Sequence, residues 1–143
     1  MSTRQGITVG FQKTKATFLL VDHDKGRILQ AAVRDLRQNL ATGQHRAVSA
    51  DTASFLRRAL QQRQPAPDLV VVDPPRAGLG SEVTSLLGSL RPRNITYVSC
   101  DPATLSRDLA ALLESGYRLK KMHLVDLFPQ TFHLESVTHL SLD

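Results

Sequence analysis

Leu69-Val70-Val71-Val72-Asp73-Pro74-Pro75, residues 69–75, is the stretch on which the fold turns. Four apolar residues in a row, rich in β-branched side chains, favour a strand buried on both faces, as the central strand of a parallel sheet is. Aspartate and two prolines then end it, because proline has no N–H to offer a neighbouring strand and fixes its own φ.

Similar units lie on both sides. Upstream, Thr17-Phe18-Leu19-Leu20-Val21 closes on Asp22 as a buried strand. From Gly26, the apolar positions Ile28, Leu29, Ala32, Val33, Leu36 and Leu40 recur at helical steps until Thr42-Gly43. Ala47-Val48-Ser49-Ala50 is a weaker strand ending at Asp51, and residues 53–62 read as a helix that Pro65 and Pro67 break. Downstream come a helix over 82–90, a strand over 95–98 and a helix over 103–114 closed by Ser115-Gly116. Two last strands, 119–125 and 136–142, flank Phe128-Pro129. Alternating strands and helices predict an α/β fold with a mostly parallel sheet, and the adjacent final strands predict an antiparallel C-terminal edge. Residues 1–15 contain Gly6 and Gly10 but no opening strand followed by a glycine-rich turn. In such sheets ligands gather at the carboxyl ends of strands. Asp22, Asp51, Asp73 and Cys100 all fall there.

At 143 residues the chain suits one domain, and 41% hydrophobic with 22% charged residues is ordinary for a globular one. No apolar run approaches the roughly 20 residues of a membrane span, so the cytoplasm is the expected location. Lys and Arg number 18 against 13 Asp and Glu, a net charge of +5 that permits a polyanionic partner. Aromatics are only 5%, too few for a surface that stacks many bases in succession. The single cysteine, Cys100, cannot form an internal disulfide and is either a small buried hydrophobe or a reagent. Its place after a strand, before Asp101-Pro102 and a helix start, favours the reagent. His23, His45, His123 and His139 form no metal-site spacing.

VVVDPPRAGLG (70–80), YVSCDPATLSRDL (97–109) and DLFPQTFHLES (126–136) together resemble the catalytic half of the S-adenosylmethionine-dependent RNA uracil-C5 methyltransferases, which make 5-methyluridine in tRNA and 23S rRNA. The resemblance implies a Rossmann-like methyltransferase sheet, a methyl donor as cofactor and rRNA or tRNA as partner. It implies that Cys100 is the nucleophile and Glu135 the base, with Asp73, Arg76 and His133 against the target base. Asp22 matches the acidic position that holds ribose hydroxyls, Asp51 would receive the adenine amino group, and Asp73 borders the same donor site. Each residue also has a plainer reading. Asp73-Pro74-Pro75 is a clean strand stop, Glu135 a solvated carboxylate, and His133 a prop for the loop carrying Glu135. Arg107 and Asp108 suit local helix ion pairs, with RNA phosphate as the alternative for Arg107.

Residues 1–143 thus form one partial methyltransferase-like domain that lacks the first strand and glycine-rich loop. Three origins fit: a fragment of a longer enzyme, a short protein that has lost cofactor binding, or one half of an assembly. The rival reading is a non-catalytic module for RNA binding or oligomerisation, its incomplete sheet paired with another chain.

Overall fold

The computed structural model describes residues 6–13, 16–22, 45–127, 129–131 and 134–142, with side chains from residue 50 onward. Among the described residues seven strands form one sheet: β1 (Gly6–Lys13), β2 (Ala16–Asp22), β3 (His45–Ala50), β4 (Leu69–Asp73), β5 (Asn94–Ser99), β6 (Tyr117–Val125) and β7 (Glu135–Leu142). Their order across the sheet is β3-β1-β2-β4-β5-β7-β6. β2, β4 and β5 pair in parallel, whereas β1 is antiparallel to β2 and β3, and β7 to β5 and β6. Five strands therefore point one way and only β1 and β7 oppose them. The expected helix over 26–40 lies outside the described residues.

The structure adds a strand that the sequence reading did not anticipate. β1 and β2 are joined by residues 14 and 15 alone. So short a connection makes a hairpin, because a parallel pair needs a crossover of about a dozen residues or more. β1 therefore cannot be the parallel first strand, and β2 takes the central place beside β4, with Asp22 in register with Asp73.

Helices α1 (Thr52–Gln61), α2 (Gly80–Leu90) and α3 (Pro102–Glu114) cover one face of the sheet. Asp51 caps α1, accepting from the Ser54 N–H at 2.9 Å. α2 ends where Arg91 turns left-handed, with Pro92 next in the chain. Pro102 opens α3, and the Asp101 carboxylate accepts from the N–H groups of Ala103 and Thr104, both at 3.0 Å. Leu56, Leu87, Leu105 and Leu112 from the helices pack on Val70, Val72, Ile95, Tyr97 and Leu140 from the strands to form the core. Strand alternation puts the intervening residues on the other face: Val71 and Asp73 on β4, Thr96 and Val98 on β5, then Val137 and His139 on β7. These are half-buried, and that open face carries the site.

The Thr104 N–H, followed by other local hydrogen bonds and the nearby Arg76 charge, holds the Asp101 carboxyl below its ordinary value. A depressed carboxyl stabilises the fold above the ordinary aspartate range and loses that contribution as pH falls through its lowered value. An NMR titration will place Asp101 below a free aspartate; a midpoint at or above it contradicts the cap.

Candidate active site

Cys100 follows directly on β5, and its neighbours hold it there. Ser99 is buried, donates through Oγ to the Asp101 carbonyl at 2.9 Å and accepts from the Asp101 N–H at 3.1 Å. Ser136 donates to the Ser99 carbonyl at 3.3 Å, and the two serines are antiparallel partners. Continuing that register by one residue sets Cys100 opposite Glu135, because a step forward on β5 is a step back on β7. Cys100, half-buried, and Glu135 therefore stand on the same open face despite their separation in the chain.

Both line a cavity of about 490 Å³. Asp73, Pro74, Pro75 and Arg76 form one wall at the end of β4, and Val98, Val125, Leu127 and Val137 supply the apolar surface. A largely apolar hollow with a few converging polar groups is the usual form of a small-molecule site, and 490 Å³ is within the ordinary range. Of the residues expected at a substrate, Cys100, Glu135, Asp73 and Arg76 meet here. His133 and Phe128 lie outside the described residues. Asp22 ends β2 in register with Asp73, and Asp51 follows β3 on the same rim, three strands from β4. Asp51 already caps α1, but that bond uses one of its two oxygens. The Asp51 and Asp73 carboxylates on this rim are acceptors suited to the hydroxyl and amino donors of a nucleoside.

The site also depends on a residue whose reach the sequence reading missed. Arg107 does pair with Asp108, through Nε at 3.0 Å and Nη2 at 2.8 Å to Oδ1, as a local ion pair should. Both also reach across to the loop after β4. Asp108 Oδ2 accepts from the Leu79 N–H at 2.6 Å and from the Tyr97 hydroxyl at 2.7 Å. Arg107 donates to the Ala77 carbonyl and Thr104 to the Arg76 carbonyl, each at 2.8 Å. α3 thus fixes the backbone of residues 76–79, the segment that carries Arg76 into the cavity wall. Burial first, then the hydrogen bond to Asp108, drives the Tyr97 phenol pKa far up, so this donor keeps its proton. A signal was available: 105, 108 and 112 form the buried stripe of α3, and a carboxylate in such a stripe requires partners.

Gly78 makes the clamp possible. Its φ is +74°, and a Cβ there would collide with Asp108 Oδ2 and lie 2.8 Å from Arg107 Nη2. Gly80, at φ +81°, faces open space. Gly80→Ala should therefore cost only the backbone term, about 1–2 kcal/mol. Gly78→Ala should cost clearly more, about 3 kcal/mol, because the clamp must also part. Urea unfolding of both variants checks the difference, and equal losses would contradict it.

A parallel-centred α/β sheet with carboxylates on its rim and a thiol cavity at the ends of its central strands defines a Rossmann-like methyltransferase domain. The family model for tRNA (uracil-5-)-methyltransferases matches residues 47–142, and the chain belongs to that family. An RNA methyltransferase of Enterococcus faecalis is 44% identical over 116 residues, 80% of this chain and 25% of that protein. One of Aquifex aeolicus is 38% identical over 112 residues, 78% of this chain and 26% of that protein. The chain thus spans about a quarter of the length of these relatives. In fold it is similar to the S-adenosylmethionine-bound magnesium protoporphyrin IX methyltransferase of Synechocystis, with a TM-score of 0.53 at 15% identity over 85% of this chain and 57% of that one.

Proposed function

We propose that the chain is a single domain forming the catalytic part of an S-adenosylmethionine-dependent RNA uracil-C5 methyltransferase, acting on a uridine of tRNA or rRNA in the cytoplasm. The observation that carries this reading is the convergence of Cys100 and Glu135 on one cavity beside Asp73 and Arg76. Asp22, Asp51 and Asp73 would hold S-adenosylmethionine, which would supply an electrophilic methyl group.

Carbon 5 of uracil is a weak nucleophile, and the protein's task is to activate it. The Cys100 thiol gives up its proton to solvent and its sulfur bonds to carbon 6. The pair from the 5,6 double bond shifts toward the adjacent carbonyl as an enolate, whose negative oxygen the Arg76 guanidinium stabilises while Asp73 accepts from the imide N–H. Carbon 5, now nucleophilic, bonds the methyl carbon as the donor's methyl–sulfur bond breaks, that pair staying on sulfur so that a neutral thioether leaves. The Glu135 carboxylate then takes the proton from carbon 5, the released pair re-forms the 5,6 double bond and the thiolate departs. The target nucleotide must leave its stack for sulfur to reach carbon 6.

Calorimetric titration separates this reading from a non-catalytic RNA-binding or oligomerisation module. Micromolar binding of S-adenosylmethionine supports the enzyme; no heat at millimolar donor contradicts it. Glu135→Gln should stall after methylation, because nothing removes the carbon 5 proton. With S-adenosylmethionine and ordinary uridine RNA this variant should accumulate a denaturant-resistant protein–RNA band that the parent does not. Full turnover by Glu135→Gln would remove Glu135 from the role of base.

A further inference from the structure

The edge strand β6 bears cations and a bulge. Tyr117 to Val125 contains Arg118, Lys120, Lys121 and His123 and no acidic residue. Arg118 and Lys121 are three residues apart, and in a regular strand they would face opposite sides of the sheet. The register shifts between Leu119 and Lys121, so Arg118 pairs with Ser141 while Lys121 pairs with His139. Both paired positions lie on the open face of β7. The bulge thus aligns Arg118 with Lys121 and His123, a re-aiming that bulges commonly perform beside functional sites. The row ends at Val125, which pairs with Glu135 and lines the cavity. At 3.3 Å per residue it extends about 20 Å. The His123 ring, exposed, stands edge-on to His139 at 5.9 Å, and His139 is held through Nδ1 at 3.0 Å from Thr96 Oγ1.

We propose that this row, Arg118, Lys121 and His123, is a track for the single-stranded RNA flanking the target uridine, leading it into the cavity that Cys100 lines. Arg118 and Lys121 take successive phosphates, and the His123 ring stacks on the base next to the target. Alternating cations with a ring suits a nucleic-acid strand better than an acidic peptide, which has no bases to stack. The inference rests on the methyltransferase reading, since it assumes that a uridine enters the cavity.

Anisotropy of a short fluorescein-labelled, uridine-containing RNA, followed across a salt series in mildly alkaline buffer, tests the track. Arg118→Gln and Lys121→Gln should each weaken binding and reduce the slope of log affinity against log salt by about 0.7, one phosphate contact on a single strand. His123→Ala should weaken binding by about 5-fold to 100-fold, one lost base stack, with the slope unchanged. Arg63→Gln, beyond the end of α1, should match the parent. The track is overturned if the three β6 variants bind like the parent, if the parent binds no RNA, or if poly-glutamate competes as well as RNA. Two outcomes separate the readings. A covalent adduct with 5-fluorouridine RNA that persists while the β6 variants bind normally overturns the track alone. β6-dependent binding without any adduct upholds the track and overturns the catalytic role of Cys100.

Discussion

Cys100→Ala is expected to lower methyl incorporation into uridine RNA by at least about 10⁴-fold, the scale on which enzymes lose rate when a covalent nucleophile is removed. The size follows from the chemistry: without sulfur on carbon 6, carbon 5 has no enolate pair to donate. Cys100 is half-buried on the open face and outside the core cluster, so alanine removes the thiol at little cost to packing. Radiolabelled methyl transfer, with unfolding measured in parallel, separates chemistry from folding. A variant that keeps a tenth of parental activity would contradict the assignment.

Asp108→Ala should be the most damaging substitution outside the cavity. The Asp108 carboxylate is 1% exposed and accepts four hydrogen bonds, from Leu79 N, Tyr97 Oη, and Arg107 Nε and Nη2. That uses the whole acceptor capacity of a carboxylate. Alanine strands the Leu79 and Tyr97 donors, each costing about 1–3 kcal/mol, so a total near 3 kcal/mol or more is expected. For a chain of this size the melting temperature should fall by about 10 °C. Asparagine should not rescue it, because its amide would turn a donor toward donors. The loop bearing Arg76 loosens with the clamp, and kcat/KM should drop about 10²-fold in molecules that remain folded. A folded Asp108→Asn enzyme with parental kcat/KM would show that the clamp does not position Arg76.

Val70 to Pro75 announced a central strand and its end, because β-branched runs and prolines act locally, and among the described residues helices α1 to α3 and the expected strands lie within a few residues of where periodicity placed them. The pairing of β1 with β2 was not legible. Ile7, Val9 and Phe11 alternate, but Gly6 and Gly10 weaken the strand pattern, and the hairpin depends on pairing rather than propensity. Cys100 and Asp73 were visible at strand tips. That Glu135 stands opposite Cys100 was not, since it depends on the antiparallel register of β5 with β7, and only family resemblance anticipated their meeting. Asp108 looked like a surface partner of Arg107, because an ion pair between neighbours says nothing of what else they touch. The bulge at Lys120 left no mark in composition, yet it decides which cations share a face.

RNA carrying 5-fluorouridine at the target, mixed with the chain and S-adenosylmethionine, tests the central claim most directly, because fluorine cannot leave carbon 5 as a proton does. A denaturant-resistant adduct, mapped by mass spectrometry to Cys100 and lost in Cys100→Ala, is the expected result. An adduct on another residue, or one that survives that substitution, would contradict it.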